Sequence, residues 1–158
     1  MKRSISVRNL FIFIALVFIS LVLSSCVTRK QKKLQALNNK PLLETCWYLK
    51  SVKGEAVPKS PMKPYLIFEN SGTFGGKLGC NRCTGTFFAK KNKMKIEYSG
   101  STKRLCTDMK TEKMFMSALQ SQINHFEISN DTLRLSNKDG EVMLFVAGEN
   151  PVQVTEQQ

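Results

Sequence analysis

The chain has 158 residues, with 24 basic against 12 acidic side chains and a net charge of +12. That length suits one domain with a small core. The charge invites a nucleic-acid partner, but no recognised nucleic-acid motif is present, and the single histidine, His125, leaves too few ligands for a metal site.

Residues 1–9 carry Lys2, Arg3 and Arg8 and no acid, and residues 10–23 (LFIFIALVFISLVL) are apolar apart from Ser20. This is the layout of a secretory signal peptide. The 14-residue apolar run would reach about 21 Å as a helix. An uncleaved membrane anchor needs about 30 Å, so cleavage is the better reading. Leu23-Ser24-Ser25-Cys26 resembles a bacterial lipobox, which implies a signal peptide over 1–25 and a lipidated, acylated Cys26. Several acyl chains hold a protein far better than one. Cleavage would remove three cations and leave 21 basic against 12 acidic side chains, about +9. Val27 stands where an inner-membrane retention signal would place Asp, so the expected location is the periplasmic face of the outer membrane. Residues 26–43 are a basic tether. Its Arg29, Lys30, Lys32 and Lys33 either rest on anionic headgroups or form a solvated spacer.

Residues 46–52 (CWYLKSV) predict a first strand with Trp47, Leu49 and Val52 inward. Pro58, Pro61 and Pro64 make 54–64 a loop. Strands follow at 65–69 and 73–78, the second with Gly75-Gly76 inside it, which suggests a bulge or a close backbone approach. Residues 79–85 (GCNRCTG) read as a tight, covalently pinned crossover. Asn81 supplies turn hydrogen bonds, and Gly79 and Gly85 supply backbone freedom. A hairpin spans 86–90 and 94–98, and a loop covers 99–106. Thr107 or Asp108 is placed to cap a helix. Residues 111–122 put Phe115, Ala118, Leu119 and Gln122 on one face, with Met114 and Met116 beside them. Strands at 124–129, 132–136 and 141–146 follow, the last two joined by Asp139-Gly140. Residues 148–158 form a polar tail. The predicted fold is α+β, a mostly antiparallel, barrel-like sheet of seven or eight short strands with one α-helix packed on it.

Without Cys26 the cysteines are Cys46, Cys80, Cys83 and Cys106. An even count in an exported domain suggests two disulfides, with three connectivities open. Cys80-Asn81-Arg82-Cys83 also has the form of a redox Cys-x-x-Cys, with Arg82 able to favour a thiolate. Redox versions sit at a helix N-terminus, whereas these flanks are strand-like. The acids are scattered, so no carboxylate pair is set up for acid/base chemistry.

Several segments carry a family resemblance. They are Trp47-Tyr48-Leu49, Tyr65-Leu66-Ile67-Phe68, the run from Gly75 to Asn81 with Gly85 and Phe87, and Thr102-Lys103-Arg104-Leu105-Cys106. Glu112, Phe115, Leu119, Thr132-Leu133-Arg134-Leu135 and Leu144-Phe145 complete the pattern. Over 44–147 the chain resembles the META/HslJ domain family, small β-rich envelope modules, many of them lipoproteins and some linked to heat shock or antibiotic resistance. The resemblance implies a Cys80–Cys106 disulfide. Cys46 and Cys83 lie outside the family pattern, and with that pairing they are expected to form a second disulfide. It carries over no catalytic residues and no cofactor.

The expected function is therefore that of a non-enzymatic, monomeric lipoprotein of the cell envelope. It is held to the membrane through Cys26 and acts in maintenance or stress tolerance by binding a protein or a lipid. Two other classes remain: a carrier or inhibitor holding a small apolar ligand in the mouth of the sheet, and a thiol–disulfide oxidoreductase using Cys80 and Cys83.

Overall fold

The computed structural model describes residues 38–58, 63–107 and 109–151. The signal peptide, Cys26, most of the tether, Asp108 and the end of the tail lie outside the described residues. From Asn39 on, the chain forms a compact unit. Its strands are β1 (Cys46–Val52), β2 (Glu55–Ala56), β3 (Tyr65–Phe68), β4 (Thr73–Lys77), β5 (Arg82–Lys90) and β6 (Lys93–Ser101). A helix, α1 (Lys110–Leu119), precedes β7 (His125–Ser129), β8 (Thr132–Asn137) and β9 (Gly140–Gly148).

All pairings between strands are antiparallel, in the order β2-β1-β3-β4-β5-β6-β7-β8-β9, and β9 returns to pair with β1. Eight strands thus close into a ring, and the two-residue β2 hangs on β1 outside it. Closure pairs both edges of the ring strands except along the junction of β6 with β7. Among the described residues the predicted α+β class, mostly antiparallel with one helix, is what the structure has, but with nine strands rather than seven or eight. β2 falls inside the predicted 54–64 loop, where the turn after Val52 lets Glu55 and Ala56 pair back with Val52 and Ser51.

The ring has one weak seam. β6 and β7 share a single residue pair, Lys93 with His125. The chain leaves β6 at one end of the ring and returns along α1 to start β7 at the other. α1 touches both β1 and β6. Phe115, Ala118 and Leu119 are buried on its inner face, and the Phe115 and Phe145 rings lie 5.9 Å apart. Gln122 does not join that face. The helix ends at Leu119 and Ile123 takes the buried place, because three further residues in the turn shift the periodicity.

Strand alternation sets the rest of the core. Trp47, Leu66, Phe68, Phe74, Leu133, Leu135 and Phe145 are all essentially inaccessible. Each such side chain contributes about 1.5–3 kcal/mol relative to exposure. Leu49 and Val52 are three residues apart yet both inward. A register shift against β9 between Leu49 and Ser51 restores the face that strict alternation would have lost. The Trp47 indole N–H donates to the Leu42 carbonyl at 3.0 Å, which ties the entering segment to the core.

Three local expectations change. β5 starts at Arg82 and β6 runs to Ser101, so the cysteine-rich stretch is partly strand. The residue ahead of α1 is Met109, with no side-chain cap bond. Gly85 is required by close approach rather than for backbone freedom, since a Cβ there would overlap the Glu97 carbonyl and the Phe74 ring. Gly76 shows the close approach expected of the Gly75-Gly76 pair, a Cβ there overlapping the Tyr65 carbonyl. Gly79 does use glycine's freedom, at φ +140.

Candidate binding surfaces

At the end of the ring where β4 hands over to β5, the polar chemistry converges on Asn81. Its backbone N–H donates to Glu112 Oε2 at 2.8 Å, and its Nδ2 donates to Glu112 Oε1 at 2.7 Å. Nδ2 also donates to the Arg104 carbonyl at 3.0 Å. Its Oδ1 accepts from the Arg104 N–H at 2.7 Å and from the Thr102 hydroxyl at 2.8 Å. One asparagine thus joins the start of β5, the 102–107 loop and the first turn of α1. Glu112 and Asn81 are both buried. The carboxylate sits in the first helical turn, where the helix dipole favours negative charge. Among the described residues no buried side-chain polar atom lacks a partner.

The Cys80–Cys106 disulfide is formed, with Cα atoms 6.3 Å apart, and fastens the same loop. Cys46 and Cys83 do not form the second one: both are free and buried. Cys83 belongs to the core cluster inside the ring. Cys46 precedes the inward Trp47 by one residue and therefore faces outward. It packs in hydrogen-bond contact with Tyr48, whose ring stands 5.7 Å from that of Tyr65. β1 and β5 are also separated by β3 and β4, about 14 Å of sheet at the usual strand spacing. A bond between these thiols would have to cross the sheet.

Burial pushes the Cys83 thiol up to about 12, and the Glu112 carboxylate adds to the shift. Burial raises Cys46 as well, against the opposing hydrogen bond from Tyr48. With Cys80 bonded to Cys106 and Cys83 protonated inside the core, the Cys-x-x-Cys has no working pair. His125 is half-buried at the start of β7, with Lys93 as its cross-strand partner.

The opposite end of the ring is different. Leu42, Leu43, Phe87, Phe88, Ala89 and Phe126 line an apolar groove of about 540 Å3, with Glu69 and Lys91 at its rim. Phe88 is 65% exposed. The entering chain is pinned beside it: Asn39 Nδ2 donates to the Ile128 carbonyl at 2.8 Å, and the Lys40 N–H donates to the Asn130 carbonyl at 2.7 Å. A second groove, about 720 Å3, runs outside β1 past Tyr48, Lys50, Val57 and Lys63. A smaller cleft beside the disulfide is lined by Lys77, Arg82, Thr102 and Arg104.

A nine-stranded sheet with one late helix, and an Asn81–Glu112 link fastened by a neighbouring disulfide, now stand together. The META domain model matches residues 40–150. The chain belongs to the META domain family. No curated protein matches it. Its META domain is similar to an NMR structure of a protein from Burkholderia xenovorans, at 21% identity and TM-score 0.53, covering 69% of this chain and 85% of that one. It is also similar to a second protein solved by NMR, at 17% identity and TM-score 0.50, covering 65% and 88%. At such identities these likenesses concern the fold.

The resemblance read from the sequence placed Cys80, Asn81, Cys106 and Glu112 within one pattern, and the META domain brings them together. What sequence reasoning missed was the partner of Asn81. Glu112 had a usable signal, since it is the one acid in the first turn of α1, a few residues after the disulfide cysteine. The groove had no linear signal, because Leu42, Phe88 and Phe126 come from three distant segments.

Proposed function

We propose that this META domain protein is a non-enzymatic lipoprotein of the cell envelope, anchored through Cys26 and facing the periplasm from the outer membrane. Its domain serves maintenance or stress tolerance by binding a protein or a lipid. The observation that carries the reading is the contrast in how side chains are used. The polar cluster around Asn81 and Glu112 is spent on holding the fold, while the apolar surface around Phe88 is left open to a partner. Intact mass of the chain extracted from membranes, compared with a Cys26→Ala chain, tests the anchor: acyl chains on Cys26 and loss of membrane association in the variant are expected. A reproducible hydrolase or oxidoreductase activity, abolished by a point change in a groove, would overturn the non-enzymatic reading.

The mouth groove also favours a second reading, a carrier of a small apolar ligand. Trp47, Phe68, Phe74 and Phe145 fill the inside of the ring, so the ligand would lie in the mouth. Native mass spectrometry of the purified protein should then show copurified lipid, lost on Phe88→Asp.

A further inference from the structure

The mouth of the ring combines three features. The first is the apolar groove with Phe88 exposed beside it. The second is a concentration of unpaired charge. Lys90 and Lys93 are direct cross-strand partners at the β5–β6 hairpin, and Lys91 occupies the turn between them at φ +57. Like charges directly opposite each other destabilise a sheet, and all three lysines are exposed. The ion pairs among the described residues are Lys95 with Glu97 and Arg134 with Glu141, so none of the three lysines has a carboxylate on it. The carboxylates on this rim are turned to neutral donors rather than to these lysines: Glu69 accepts from the Thr73 hydroxyl at 2.8 Å, and Glu44 from the Asn70 side chain at 3.0 Å. Three adjacent cations with no carboxylate in ion-pair contact suit an external anion.

The third feature is position. The chain joins the fold at Asn39 to Leu43, on the lip of the same groove. The 13 residues from Cys26 to Asn39 extend to about 45 Å at most. A chain anchored at Cys26 therefore holds this end within reach of its own membrane.

We propose that this mouth docks on the anionic bilayer carrying the anchor, with Phe88 in the headgroup layer and Lys90, Lys91 and Lys93 on lipid phosphates. The inference rests on the anchored-lipoprotein reading and names the partner for it. An aromatic ring suits the interface because its apolar body inserts there. Lysines beside it gain from the negative surface potential, at about a fivefold gain in association for each. Docking would also set the disulfide end, with its Lys77, Arg82 and Arg104 cleft, away from the bilayer.

The test uses the full lipidated chain carrying Phe88→Trp, reconstituted into vesicles of phosphatidylcholine alone or mixed with phosphatidylglycerol. Trp47 is fully buried and gives a constant background. On mixed vesicles the introduced indole should shift to the blue and be quenched by brominated acyl chains, and it should do neither on phosphatidylcholine alone. Lys90→Gln, Lys91→Gln and Lys93→Gln should each lower the docked-to-free ratio about fivefold, and high salt should abolish docking. A chain that floats with both vesicles, its indole emitting as in water or shifting equally on both, overturns the docking while leaving the anchor standing. If the chain extracted from membranes carries no acyl group on Cys26, the anchored reading falls, and the docking with it.

Discussion

The two ends of the ring use their side chains in opposite ways. At the disulfide end, Asn81 satisfies two backbone groups, a carboxylate and a hydroxyl at once, and the Cys80–Cys106 bond closes the same loop. At the mouth, a phenylalanine and three lysines face solvent with no internal partner. A buried polar group left unpaired costs about 1–3 kcal/mol, more when charged, so the buried network at the first end is satisfied from within, although Leu105 on the same loop is 97% exposed. An exposed ring and exposed lysines cost little to keep, so the second end can be altered with little effect on stability. The buried network and the exposed mouth thus lie at opposite ends, and mutation can separate their contributions.

The largest effect should come from Asn81→Ala. It removes the side-chain donor to Glu112, leaving that buried carboxylate only the backbone N–H of residue 81. It also frees the Arg104 backbone and the Thr102 hydroxyl. The cost should be about 4 kcal/mol, measured by urea unfolding of the oxidised protein. Reducing the Cys80–Cys106 bond should lower stability by about 3 kcal/mol, for a loop closed over a separation of 26 residues. The comparison is Cys80→Ala/Cys106→Ala unfolded alongside the parent. A peptide map without reductant should show this single bond, with Cys46 and Cys83 alkylated only after denaturation. A Cys46–Cys83 peptide would contradict the face assignment of β1 and β5.

Alkaline pH should come next. Cys83 is raised from 9.0 to about 12 in the folded state, so between those values the unfolded chain has released a proton that the native one keeps. Stability is then full below pH 9 and falls as pH rises, by about 1.4 kcal/mol for each unit. Cys83→Ala should flatten that slope in urea unfolding from pH 8 to 11 and keep the neutral-pH fold. The smallest effects should lie at the mouth. Phe88→Ser should change the stability of the vesicle-free protein by less than about 0.5 kcal/mol. Lys90→Thr should raise it by about 0.3 kcal/mol by removing the like-charge pair with Lys93. A large loss from either would mean that the mouth, too, is structural.

Much of this was legible in the linear chain, for reasons particular residues make clear. Alternation in CWYLKSV and YLIF is the direct mark of a strand with one face buried, and β1 and β3 fall where it puts them. Asp139-Gly140 marked the β8–β9 hairpin, because few residues other than glycine take φ +129 at little cost. Helix α1 was visible in Phe115, Ala118 and Leu119, but its last turn was not, since Gln122 continued the period after the backbone had left it. Cys83 was the least legible. A cysteine two residues before a glycine reads as a turn, and only the pairing of β4 with β5, Gly76 opposite Cys83, makes it a core residue.

The sequence by itself determined the local structure: which stretches are strands, where the chain turns, and that Cys80 and Cys106 belong to one pattern. These follow from side-chain periodicity and backbone freedom, which act over a few residues. The tertiary structure alone decided that β9 closes on β1, that the helix packs against both β1 and β6, and that Cys46 and Cys83 lie on opposite faces of the sheet. It also brought Leu42, Phe88 and Phe126 into one groove. Those outcomes depend on which strands pair and in what register, and register is set by burying every inward face at once, a condition no single segment carries.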